Sequence, residues 1–141
     1  MNKYFKILLL IFIVSFSDSK LIAQKKTDEK LAAQYYNNKE YNKAVIYYQK
    51  LLDRSKSPVY YTRLLNCFIQ LEEFKNGEKL VKSQLKRNTY QLHFYTDLGN
   101  LYEISDQASK SKQAYEKGLK LLTPNNQQII ELANGYLKYK K

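Results

Sequence analysis

The chain is poor in the residues that staple, kink or catalyse. Its 141 residues include one cysteine, one histidine, two prolines, four glycines and no tryptophan. With Cys67 alone no intramolecular disulfide can form, so the fold must stand on packing. Cys67 has no histidine or second cysteine near it in sequence and reads as a small core residue rather than a reactive thiol. His93 stands alone and makes neither a metal site nor an acid–base pair by itself. Gly77, Gly99, Gly118 and Gly135 are scattered and build no phosphate-cradling loop, while Glu72 and Glu73 fall in a turn where acidic residues are ordinary. No catalytic residue, cofactor or metal is therefore expected. Long apolar runs are missing as well: the stretch from Ile7 to Phe16 is ten residues, about half of what a membrane-crossing helix needs.

That short run has a different meaning. Lys3 and Lys6 precede it, and Ser17, Asp18, Ser19 and Lys20 follow it. A basic start, a short apolar centre and small residues beyond describe a secretory signal peptide, expected over residues 1–23. Candidate cleavage points follow Ser17, Ser19 and Ala23, and the last leaves Gln24 at the mature end. No cysteine closes the apolar run, which excludes a bacterial lipoprotein anchor. The expected destination is the periplasm or envelope of a bacterium.

Acidic residues are outnumbered, with 13 Asp and Glu against 24 Lys and Arg and a formal charge of +11. The lysines are spread over the chain rather than gathered into a stripe, which marks a solvated face. Nucleic acid is not an expected partner of an exported chain. Weak attraction to an anionic envelope polymer or surface is the alternative reading of the charge.

What the sequence does have is a period. Leu31/Tyr35, Leu64/Phe68, Leu98/Tyr102 and Leu132/Tyr136 each place a ring four residues after a leucine, at steps of 33, 34 and 34 residues. A second set recurs in phase: Tyr41, Phe74 and Ala108; then Ala44, Gly77 and Ser111; then Tyr48, Val81 and Tyr115. Spacings of three and four put each set on one helical stripe. Only Asn37 to Glu40, Gln70 to Glu73 and Ser105 to Gln107 separate the two stripes, so each repeat is two antiparallel helices joined by a tight turn. Ala32, Gly99 and Ala133 follow the leucines as close-contact slots between helices, and Leu65 breaks that pattern. A period sustained over more than three copies predicts a stacked helical array.

These residues resemble the tetratricopeptide repeat family. The likeness rests on leucine-small-x-x-aromatic in the first helix, an aromatic opening the second, small-x-x-x-aromatic after it, and Pro58 and Pro124 where new helices begin. Tyr61 and Tyr95 stand where the family usually has tryptophan, and Ala108 replaces an expected ring. The expected fold is all-α, a tetratricopeptide-like α-solenoid of about three and a half repeats over residues 24–141, approximately 25–57, 58–91, 92–125 and a partial 126–141.

The resemblance implies a non-enzymatic scaffold whose first helices line a concave groove for a peptide or helix of another protein. The residues it places there are Ala33, Asn66, Asn100 and Asn134, with Glu29, Thr62, Thr96 and Ile130 four places earlier and Tyr36, Ile69, Glu103 and Leu137 three places later. Amides spaced one repeat apart both donate to and accept from an extended backbone. Family members that clamp a C-terminal carboxylate carry lysine where this chain has Thr62, Thr96 and Ile130, so that clamp is not reproduced. Framework tyrosines are expected in the core, and Tyr36 is the tyrosine expected as an exposed contact. The last helix, rich in Ile129, Ile130, Leu132, Tyr136 and Leu137, points to self-association or to a chain that is the opening segment of a larger repeat protein.

Overall fold

The computed structural model describes residues 24–88, 91–121, 130–131, 133–135 and 138. The expected leader, Pro124 and the side chains of Leu132, Tyr136 and Leu137 lie outside them. The described regular structure is all helical: α1 spans residues 24–37, followed by α2 (Tyr41–Ser55), α3 (Pro58–Gln70), α4 (Phe74–Arg87), α5 (His93–Ile104) and α6 (Ala108–Lys120). Residues 130–131 and 133–135 are helical again. The chain forms two compact units, the first ending at Cys67 and the second starting at Phe68.

Each second helix buries one stripe. In α2 it is Ala44, Tyr48, Leu51 and Leu52; in α4 Gly77, Leu80 and Val81; in α6 Ser111, Ala114 and Gly118. These recur at three- and four-residue spacing, and the opposite faces carry the lysines. α5 differs, with Phe94, Thr96, Asp97, Leu98, Gly99, Asn100, Leu101 and Tyr102 buried in succession. A helix buried on nearly all sides is one packed between neighbours. Its polar members are satisfied, since no buried side-chain nitrogen or oxygen among the described residues lacks a hydrogen bond.

The expected turns are present and share one backbone geometry. Lys39, Glu72 and Asp106 adopt φ of 61°, 56° and 57°, the left-handed region that favours glycine. The following amides of Glu40, Glu73 and Gln107 each donate back to the carbonyls of Tyr35, Phe68 and Tyr102 at 2.8 Å. Lys39, Glu72 and Asp106 themselves donate to Tyr36, Ile69 and Glu103 at 3.1, 3.1 and 3.2 Å. This bond pair is the Schellman closure of a helix end. The next helix begins at once, because the carbonyls of Glu40, Glu73 and Gln107 accept from the third and fourth amides beyond them. Their side chains pair with Lys43, Asn76 and Lys110 on the same first turn.

The close-contact slots behave as the sequence indicates at Ala32, Ala44, Gly77, Gly99 and Ser111, all buried. A Cβ on Gly99 would lie 2.4 Å from the Tyr115 ring, so α5 and α6 meet with no room for a methyl group. Leu65 is buried too, as part of the first unit's core. Ala133 is exposed, and the close approach on the last helix is made by Gly135 instead. The framework tyrosines divide. Tyr48, Tyr61 and Tyr102 are core residues, whereas Tyr35, Tyr41, Tyr95 and Tyr115 are half-buried with an edge in solvent.

Two substitutions of opposite sign test this geometry. Glu72→Gly relieves a left-handed side chain and is expected to raise unfolding free energy by about 0.5–1 kcal/mol, with Asp106→Gly gaining less because aspartate tolerates the conformation better. Gly99→Ala is expected to lower it by about 1–2 kcal/mol, the clash with Tyr115 outweighing the helix-propensity gain. Urea denaturation followed by circular dichroism reads both.

Candidate functional site

In the first unit the candidate surface is built from α1 and α3. Three residues before its leucine, α1 carries Asp28 in the repeat position that Tyr61 and Tyr95 fill in later copies. Asp28 is buried and accepts from Arg54 Nη1 at 2.6 Å, so an ion pair does there what a ring does elsewhere. Its neighbour Glu29 accepts from the Tyr60 hydroxyl of α3. The Arg63 guanidinium lies 4.6 Å from the centre of the Tyr36 ring. That ring meets Tyr41 and Tyr48 edge-on at 5.6 and 6.0 Å. Tyr36 is therefore half-buried in a cluster of rings, in place of the exposed contact the sequence indicated. Thr62 is exposed and Asn66, one turn later, is half-buried, so these two candidates share a face of α3.

In the second unit the surface is built from α5 and the helical residues 130–131 and 133–135. Thr96 is only 1% exposed and its hydroxyl donates to the His93 carbonyl at 2.7 Å. A Cβ at Gly135 would lie 2.5 Å from that hydroxyl oxygen, so the last helix rests its backbone on Thr96. Thr96 thus packs one helix on another instead of lining open surface. Asn100 is 8% exposed. Glu103 is exposed and accepts from the Tyr115 hydroxyl at 3.2 Å. Ile130 and Asn134 are exposed, Ile69 is half-buried near the start of this unit, and the Leu137 side chain lies outside the described residues. Two further contacts hold the last helix: Lys138 Nζ lies 3.4 Å from the buried Asp97 carboxylate, and His93 Nδ1 lies 3.3 Å from Glu131.

The sequence reading passed over Arg63, the Tyr60–Glu29 bond, and the Asp97 contact. Asp97 had a signal, a carboxylate directly before the leucine of the leucine–aromatic pair on α5. Arg63 had none, because its partner ring is 27 residues away on another helix.

Among the described residues a phenol donates to a glutamate across helices in three places, as Tyr60 to Glu29, Tyr102 to Glu78 and Tyr115 to Glu103. The bond to Glu29, aided by burial, raises Tyr60 to about 12. Burial raises Tyr48 and, together with the Glu78 bond, Tyr102. Lys82 and the Tyr102 hydroxyl hold the Glu78 carboxyl below its ordinary value. Burial pushes the Cys67 thiol up to about 12, which leaves it protonated and a poor nucleophile. Among the described residues no cluster of three metal-ligating side chains forms, and no helix is long and apolar enough to cross a membrane.

No model of a known family matches the sequence, and no curated protein matches it. The architecture does have solved counterparts. The first tetratricopeptide domain of Spaghetti (RPAP3), bound to the HSP90 peptide SRMEEVD, superposes with a TM-score of 0.54 at 19% identity, covering 83% of this chain and 94% of that one. The fold is tetratricopeptide-like. The Sgt2 domain of Aspergillus fumigatus matches at 0.55 and 16% identity over 83% of this chain and 80% of its own. The Arabidopsis OM64 domain matches at 0.53 and 17% over 80% and 94%.

The raised phenols and thiol fix a pH dependence. A group whose folded value lies above its unfolded one contributes stability that is complete below the unfolded value and lost as pH rises through the folded value. With ordinary values of 9.0 for Cys67 and 10.0 for Tyr60, and folded values of about 12, stability is expected to fall across pH 9 to 12. Tyr60→Phe is expected to cost about 1 kcal/mol at neutral pH and to flatten the upper part of that decline. Thermal melting at stepped pH measures both.

Proposed function

We propose that this protein is a non-enzymatic interaction scaffold that binds a peptide or helix of another protein on its first-helix faces, and that it is exported to a bacterial envelope. The observation that carries the reading is the composition of those faces. In the first unit the face carries the Thr62 hydroxyl and the half-buried Asn66 amide; in the second it carries the exposed Asn134 amide and the apolar group of Ile130. Amides pair with the backbone of an extended partner and so give affinity without demanding a sequence, while the apolar spots select side chains. In the second unit Glu103, Ile130 and Asn134 make the contact, with Leu137 next to them in the repeat pattern and Asn100 and Thr96 supporting from below. The tetratricopeptide-like fold supports a protein partner. RPAP3 has been seen with an acidic peptide, but Thr62 and Ile130 stand here where a carboxylate clamp needs lysines, which favours a mixed or apolar ligand. Export rests on the basic, short-apolar leader over residues 1–23.

The test is selection of displayed peptides on the chain starting at Gln24. Enriched sequences are expected to be amphipathic, to bind with little dependence on added salt, and to be lost from Asn66→Arg and Asn134→Arg variants. The peptide SRMEEVD is expected to bind at least tenfold more weakly than the selected ones. Enrichment that survives both arginine variants would retire the first-helix faces as the site.

A further inference from the structure

A cleft lies within the Phe68-to-Lys141 unit, lined by none of the first-helix candidates. It measures about 270 Å³ and is lined by Glu78 and Lys82 of α4, Tyr95, Leu98 and Tyr102 of α5, and Lys110, Gln113, Ala114 and Lys117 of α6. α4 and α6 form its walls and α5 its floor. Three ammonium groups face one carboxylate there, and that carboxylate is already engaged. Glu78 Oε1 accepts from Lys82 Nζ at 2.5 Å and from the Tyr102 hydroxyl at 2.8 Å. The pair neutralises Lys82 and fixes the phenol at the base of the cleft. Lys110 Nζ stands 5.4 Å from the centre of the Tyr102 ring, over its face. Neither Lys110 nor Lys117 has a carboxylate within ion-pair distance among the described residues. Lys110 Nζ donates to the Gln107 amide oxygen at 2.6 Å, which leaves its charge in place, so among the described residues the cleft carries two lysine charges with no ion-pair partner above an apolar floor of Leu98, Ala114 and two phenol rings.

The spacing of those charges selects the ligand. Lys110 and Lys117 are two turns apart on α6, about 10 Å along the axis. One small anion cannot neutralise both, whereas carboxylates borne on a single extended chain can, with the intervening backbone lying on Tyr102 and Ala114. Gln113 between them supplies an amide for that backbone. We propose that the α4–α6 cleft binds an extended acidic peptide segment of a partner protein, with Lys110 and Lys117 pairing its carboxylates. This site is independent of the first-helix faces and uses none of their residues.

The probe is hexaglutamate with blocked ends, titrated at fixed ionic strength into the chain from Gln24 by fluorescence polarisation, with amide shifts followed by NMR. Saturable binding that shifts Tyr102, Gln113 and Ala114 and weakens at least tenfold in Lys110→Gln/Lys117→Gln is the expected result. Lys79→Gln/Lys120→Gln removes the same charge outside the cleft and is expected to bind as the parent does. Equal weakening of the two double variants would reduce the effect to overall charge and overturn the site, as would absence of saturable binding. Competition by inorganic phosphate or by anionic vesicles at matched charge, as strong as by the peptide, would overturn the peptide assignment. Lys117→Glu alone, scored against the parent, keeps the measurement decisive if the double variant loses helicity. Asn66→Arg and Asn134→Arg are expected to leave hexaglutamate binding unchanged, which separates failure of this cleft from failure of the first-helix reading.

Discussion

The fold depends on a bond repeated three times, from the amides of Glu40, Glu73 and Gln107 to the carbonyls of Tyr35, Phe68 and Tyr102. Each closes a first helix and at the same step opens the second. The accepting residue in every case is the aromatic of the leucine–aromatic pair, so its ring helps anchor the helix while its carbonyl reverses the chain. A longer turn would break this double use. That closure holds the turn inside each repeat to one geometry, while the links between repeats, from Ser55 to Pro58 and from Arg87 to His93, differ in length.

Much of this was legible in the sequence. Helix pairs, turn positions, the opening of second helices at Tyr41, Phe74 and Ala108, and the buried slots other than Ala133 follow from residues recurring at fixed phase, because each copy votes for the same geometry. What escaped is whatever occurs once or defies preference. Lys39, Glu72 and Asp106 take a conformation in which glycine or asparagine would have announced itself. Tyr36 lost its exposed role because Arg63, on the next first helix, covers the ring, and a contact across helices leaves no local trace. Asp28 reads as an ordinary surface acid until Arg54 is brought to it. Thr96 and Asn100 fit the candidate pattern by position, but the last helix and its neighbours bury them.

Charge in this molecule is organised at two depths. Some exposed lysines on α2, α4 and α6 pair within about a turn, as Lys43 with Glu40, Lys82 with Glu78 and Lys112 with Glu116 do, and such exposed pairs contribute little to stability. Deeper carboxylates are tied to groups distant in sequence, Asp28 to Arg54 of α2 and Asp97 to Lys138 beyond the last helical residues. The excess of positive charge is thus left on second-helix surfaces, while the first-helix faces are dominated by amides, hydroxyls and aliphatic groups. The two kinds of surface attract partners of different chemistry.

The phenol–carboxylate bonds have an optical consequence. With no tryptophan in the chain, its near-ultraviolet absorption and emission belong to tyrosine, and a carboxylate accepting a phenol's proton quenches that phenol's fluorescence. Tyr60, Tyr102 and Tyr115 each report one helix-to-helix contact through Glu29, Glu78 and Glu103. Emission from this protein therefore brightens as these helix pairs part, so the unlabelled chain reports the loosening of its own helix contacts.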